Sequence, residues 1–215
     1  GAVAAGALGC GCLMTQPSRR LYAAWFGAGL LTATMLVGCT DDPNSVAAQA
    51  KSGDQKGYVS GDGSYQTFAI ADRGAPVDFS GTTLTGESWS LADRRGKVVV
   101  INVWASWCPP CVAEMPTLQK VWSDLQTAKA PVEFVGIDFR ESAERGTALV
   151  TKAKVSYPSL TDESGVLILK LQGKAPTVPT TLVLDREGRI AARIGGAVQE
   201  SVLSGLVDDV AAEPS

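Results

Sequence analysis

Val100-Ile101-Asn102-Val103-Trp104-Ala105-Ser106-Trp107-Cys108-Pro109-Pro110-Cys111 is the stretch on which the fold turns. Its first half continues Lys97-Val98-Val99 into a β-branched run, the pattern of a strand buried on both faces of a sheet. Its second half opens a helix predicted over 109–127, where Val112, Met115, Leu118, Val121, Trp122 and Leu125 recur at spacings of three and four. Pro109 and Pro110 suit a first turn, whose amide hydrogens have no partner in any case, and Pro116 in the interior predicts a kink. Cys108 then caps the helix, with Cys111 three residues on and within disulfide reach. A helix N-terminus aims free amides and the positive end of its dipole at sulfur, lowering the thiol pKa. That makes Cys108 the more acidic and exposed nucleophile and Cys111 the resolving thiol. The competing readings are a structural disulfide or half of a zinc site. Zinc needs two further ligands, and the chain has no histidine and no other thiol near the pair.

Composition narrows the chemistry further. The chain has 215 residues, 45% hydrophobic, enough for one domain with a real core. The absence of histidine excludes a Ser-His-Asp triad, a Cys-His dyad and every His-ligated metal. The formal net charge of -3, without a Lys/Arg stripe, argues against nucleic acid as a partner. No cofactor and no metal site are expected.

Outward from the central stretch, Ala75–Phe79, Thr83–Thr85 and Ser88–Leu91 alternate as short strands around Gly81 and Gly86, an N-terminal hairpin. Downstream, 132–139 predicts a core strand, 141–153 a helix opening with acidic residues, 157–160 an extended crossing and 165–171 a short helix. Strands over 180–184 and 189–194 flank a turn at 185–188, and a helix over 199–211 closes the chain. This order implies a mixed α/β sheet covered on both faces.

The N-terminus reads as an address. Arg19 and Arg20 precede an apolar run from Leu21 to Val37, followed by Gly38, Cys39 and the polar Thr40-Asp41-Asp42. Leu36-Val37-Gly38-Cys39 resembles a bacterial lipobox, which implies lipidation at Cys39 and a domain anchored on the outer face of the membrane. An uncleaved transmembrane anchor is the alternative, since about 17 residues is the lower limit for spanning. Ser18-Arg19-Arg20-Leu21-Tyr22 partly resembles a twin-arginine export signal, a generic basic start being the other reading. The Ala/Gly-rich residues 1–13, with Cys10 and Cys12, precede Met14, where the natural start is expected. The predicted organisation is leader and signal over 1–39, a polar flexible tether over 40–66, and a folded domain over 67–215. From Cys39 onward Lys+Arg falls to 17 against 22 Asp+Glu, a net charge near -5.

The central stretch resembles the active-site segment of the thioredoxin superfamily, specifically its TlpA/ResA branch of extracytoplasmic, membrane-anchored reductases. Pro116 matches that family's helix-kinking proline. Val178-Pro179-Thr180-Thr181-Leu182-Val183-Leu184-Asp185 with Gly188 matches its cis-proline strand and turn, and the two motifs lie 68 residues apart, Cys111 to Pro179. The resemblance covers about Thr67 to Ala211. It implies a thioredoxin fold with an N-terminal hairpin, a cis Pro179 packed on the disulfide, and a Val178 backbone free to pair with a substrate strand. Asn102 stands where cytosolic relatives carry a buried Asp, so Glu114, three residues past Cys111, is the implied proton acceptor; a solvated helix charge is the alternative. Trp104 and Trp107 are expected to shield the disulfide, with Trp107 and Pro109 facing the substrate. Pro109 and Pro110 remove two amide hydrogens, leaving the Cys111 amide as the main local donor to Cys108.

The function so implied is reduction of disulfides in exported proteins, with apocytochrome c as a client and a membrane electron donor of the CcdA/DsbD type. The alternatives are a disulfide-forming oxidase, a thiol peroxidase and a copper chaperone. A peroxidase needs a Thr or Ser shortly before a lone cysteine, which Trp104-Ala105-Ser106-Trp107 does not supply, and a chaperone needs a distant His.

Overall fold

Among the described residues seven strands lie in one sheet, in the order β1-β2-β9-β8-β5-β6-β7. The computed structural model describes residues 58–59 and 63–214, so the leader, Cys10, Cys12, Cys39 and most of the predicted tether lie outside the described residues. The strands are β1 (Tyr58–Val59), β2 (Gly63–Thr67), β5 (Val98–Trp104), β6 (Val132–Phe139), β7 (Ser159–Asp162), β8 (Thr180–Leu184) and β9 (Ile190–Gly195). β5, β6 and β7 run parallel, whereas β8, β9 and β2 are joined by antiparallel pairings. Every residue of β5 is buried, as expected of a β-branched run at the centre of a covered sheet.

Among the described residues three α-helices pack on this sheet: α1 (Pro109–Thr127), α2 (Ala143–Ala153) and α3 (Glu200–Ala211). Leu118 and Val121 of α1 and Leu203, Val207 and Val210 of α3 meet alternate residues of the strands, Val98 and Val100 among them. The residues between these, Val99, Ile101 and Val103, point to the opposite face. There they meet Val77, Phe79, Trp89 and Leu91 from the N-terminal segment and Leu171 from a 3-10 turn, Leu167–Leu171. Burying side chains of this kind contributes about 1.5–3 kcal/mol each.

The predicted hairpin is present but shifted. β3 (Ser80–Thr82) pairs antiparallel with β4 (Ser88–Ser90), and Gly86 sits in the connection at φ +87. Residues 83–85, read as a strand, form the turn instead. Thr83 Oγ1 accepts the Glu87 amide at 3.0 Å and meets Thr85 Oγ1 at 2.8 Å, satisfying locally what a ladder would have satisfied. Val77 and Phe79 are buried outside any named strand. The hairpin lies along the outer edge of β7, where the Leu84 amide donates to Ser159 O at 2.8 Å and Thr83 bridges Leu160.

Two further differences from the sequence reading concern the ends of elements. β1 and all of β2 but Thr67 fall within 40–66, so sheet pairing begins ahead of residue 67. β2 lies between the two-residue edge strand β1 and β9, and its Tyr65 packs on the α1/α3 core. The second helix begins at Ala143 rather than Glu141, whose side chain turns inward. Among the described residues no helix is long and apolar enough to cross a membrane.

Candidate active site

β5 delivers the chain to the sheet's end, residues 105–107 turn, and Cys108 caps α1. The turn is closed by the Cys108 amide donating to Ala105 O at 3.2 Å. Cys108 and Cys111 are joined as a disulfide with Cα atoms 5.3 Å apart. The Cys111 amide points at Cys108 Sγ, 3.3 Å away, the local donor that the two prolines leave. Cys108, expected to be exposed, keeps only 4% of its surface open, against 0% for Cys111. The order of access survives, but the pair is largely walled in.

The wall is apolar. Trp104, Ala105 and Met115 pack with the two cysteines, and Val178 and Leu84 lean on the same cluster. Trp104 is fully buried, whereas Trp107 is 48% exposed beside Pro109, also exposed, and Val112. The Val178–Pro179 peptide bond is cis, and Pro179 is buried at the head of β8. Neither the amide nor the carbonyl of Val178 is hydrogen-bonded to another described residue.

Glu114 is not a solvated helix charge. It keeps 3% exposure and sits one turn beyond Cys111, facing the sheet. Its Oε1 accepts from Asn102 Nδ2 at 2.8 Å and its Oε2 from the Val198 amide at 2.8 Å. Burial pushes the carboxyl up to about 7, even though these two hydrogen bonds pull the other way. Asn102 also donates to Thr181 Oγ1 at 3.0 Å, tying β5, α1 and β8 together behind the disulfide. Thr181 and the Val198 amide were not foreseen from sequence, since nothing local marks a β-strand threonine or a backbone amide as a carboxylate's partner. Among the described residues no group of three or more Cys, Asp or Glu could hold a metal ion, and both thiols are taken up in the disulfide.

A redox-capable cysteine pair at the head of a helix, beneath a cis-proline strand, defines a thiol–disulfide oxidoreductase of thioredoxin fold. The chain belongs to the AhpC/TSA family, whose model matches residues 72–193, more than half of its length. Among curated proteins it is 34% identical to the thioredoxin-like protein YneN of Bacillus subtilis over 132 residues, covering 59% of this chain and 75% of that one. It is 30% identical to the thiol-disulfide oxidoreductase ResA of Halalkalibacterium halodurans, covering 59% and 70% respectively. Among solved structures, a secreted thiol-disulfide isomerase from Corynebacterium glutamicum superposes with a TM-score of 0.65 at 30% identity, covering 69% of this chain and 92% of that one.

Proposed function

We propose that this chain works on the outer side of the membrane, anchored through lipid at Cys39, and reduces disulfides of exported proteins. In the reducing cycle the Cys108 thiolate attacks a client disulfide, forming a mixed disulfide and releasing one client thiolate, which takes up a proton. Cys111 passes its proton to Glu114 and attacks Cys108 Sγ, releasing the second client thiolate and leaving the Cys108–Cys111 disulfide. Two electrons have passed to the client. A membrane donor of the CcdA/DsbD type returns them by reducing the pair. Trp107, Pro109, Val178 and Pro179 form the face on which the client lies, with the unpaired Val178 backbone receiving an extended client segment. Apocytochrome c, whose cysteines must be reduced before haem attachment, is a client of the right chemistry.

The observation that carries the direction is the poverty of thiolate stabilisation at Cys108. Pro109 and Pro110 offer no amides, Cys111 offers one at 3.3 Å, and the surroundings are apolar. A strong oxidant is one whose reduced form is stabilised, which is the opposite arrangement. The deciding measurement is the reduction potential in glutathione buffers. A value near about -270 mV supports reduction, and one near about -120 mV would turn the cycle round into disulfide formation. Cys108→Ser should abolish insulin reduction. Peroxide-dependent turnover would instead favour a peroxidase, against which Ser106 counts: its hydroxyl is committed to Glu141.

A further inference from the structure

The penultimate residue of β6 is one that an apolar strand has no use for. Asp138 is completely buried, and neither of its carboxyl oxygens receives an N–H or O–H from any described residue. Glu141 follows in the loop before α2 with a side chain 1% exposed. Both oxygens of Glu141 are occupied: Oε1 accepts the Ser106 amide and Oε2 the Ser106 hydroxyl. The Glu141 carboxyl lies within hydrogen-bonding reach of the Asp138 carboxyl. α2 closes over this side of the pair: a Cβ on Gly146 would run into the Asp138 carboxyl, with Leu84 beside it.

Two adjoining carboxyls at this depth cannot both ionise, and one must keep its proton and donate to the other. Glu141 already accepts two hydrogen bonds and has Arg145 Nε 3.7 Å from Oε2, so the charge belongs there. Asp138 has no donor at all and also faces the negative Glu163, so the proton belongs there.

We propose that Asp138 is a carboxylic acid hydrogen-bonded to ionised Glu141, and that the pair positions the active-site loop by gripping Ser106, two residues before Cys108. Neither residue touches the reacting sulfurs; both are positioning residues. The grip fixes the turn that the Cys108 amide closes onto Ala105 O, and so fixes Cys108 as the cap of α1. Burial first, and then Glu141, push Asp138 up to about 9; for Glu141, burial is outweighed by hydrogen bonds from Asp138 and Ser106, which hold it below the usual range. The groups facing the pair are Ser106 from the active-site loop, Arg145 from α2 and Glu163 from the turn after β7. Above about pH 9 the pair carries two adjacent charges and the grip loosens.

The functional part rests on the Cys108/Cys111 redox reading; the structural part does not. In the full-length chain, the Ser106 amide resonance should titrate with an inflection near pH 9, and Asp138→Asn should abolish it. Infrared spectra at pH 8, in a Glu114→Gln background to remove the other raised carboxyl, should show a protonated-carboxyl band that Asp138→Asn deletes. Asp138→Leu should slow insulin reduction at pH 7 about tenfold, and Asp138→Asn, whose amide can still donate to Glu141, should restore most of the rate. A Ser106 amide that titrates identically in Asp138→Asn, or no protonated-carboxyl band at pH 8, overturns the shared proton. Full turnover in Asp138→Leu overturns the positioning role. Should the spectroscopic signals appear while the wild-type chain reduces no disulfide, the redox reading fails and the pair stands.

Discussion

Glu114 occupies a place where a helix carboxyl one turn past a cysteine would ordinarily meet water, and the protein buries it instead. Its carboxyl is raised to about 7 from 4.5, so between those values the folded state holds a proton that the unfolded state has released. More protons bound in the folded state means stability falls as pH rises through this window. The full cost, about 3 kcal/mol, is in place above pH 7. A group poised there exchanges protons readily at neutral pH, which suits a partner for Cys111. Glu114→Gln should therefore flatten the decline in stability between pH 5 and 7, read by urea unfolding. It should also slow insulin reduction near pH 7 by on the order of 100-fold and remove the inflection near pH 7 from its pH profile. The amide is accommodated because Asn102 Oδ1, which has no partner among the described residues, can turn to accept it. A Gln variant with wild-type rate and profile would leave Glu114 a purely structural group.

At the scale of elements, Gly146 and Gly205, both within helices, make opposite predictions. Gly205 in α3 is exposed and has open space around a would-be Cβ, so Gly205→Ala should stabilise by about 0.5–1 kcal/mol. Gly146 in the first turn of α2 abuts the Asp138 carboxyl, so Gly146→Ala should destabilise by about 1–3 kcal/mol despite the better helix former. Denaturant midpoints of the two variants check this, and equal signs would contradict it. The boundaries of β6, α1 and β8 could be read from sequence because each is a continuous run with one period. β2 could not: Gly63-Ser64-Tyr65-Gln66-Thr67 is short and mostly polar, and its ladder partner β9 lies far along the chain. Cys108, Cys111 and cis Pro179 were legible because their motifs are local. Asp138 and Glu141 were not read as a pair, since what gives them meaning is Ser106, over thirty residues upstream. The one local signal was an acidic residue at an inward-facing position of an apolar strand.

At the scale of the whole domain, an ionic cluster away from the disulfide ties the segment before β3 to the β8–β9 turn and the end of α3. Arg73, whose side chain is 3% exposed, reaches Asp185 in the β8–β9 turn at 2.9 Å and also the Glu213 carboxylate after α3. Arg186 donates to the carbonyls of Ala211 and Glu213, capping the same helix. Burial alone would raise the Asp185 carboxyl, but the Arg189 amide and the Arg73 and Arg189 guanidinium groups hold it below its usual range. A depressed carboxyl contributes stability above its unfolded pKa and loses it as pH falls through the folded one. Arg73→Ala should thus cost about 3 kcal/mol at pH 7, since Arg189 is then the one cation left against Asp185 among the described residues. The deficit should shrink at pH 3 as Asp185 takes up a proton; a deficit that does not depend on pH would place the effect in packing.

The hairpin laid along β7 and the short strands added beyond β9 leave the large sheet with little bare margin. For a protein whose proposed work is to meet half-folded chains, that matters, because an open margin would recruit any extended segment indiscriminately and seed aggregates. Contact is then steered toward the short break before β8, within reach of the sulfurs, so that capture and chemistry happen at the same spot.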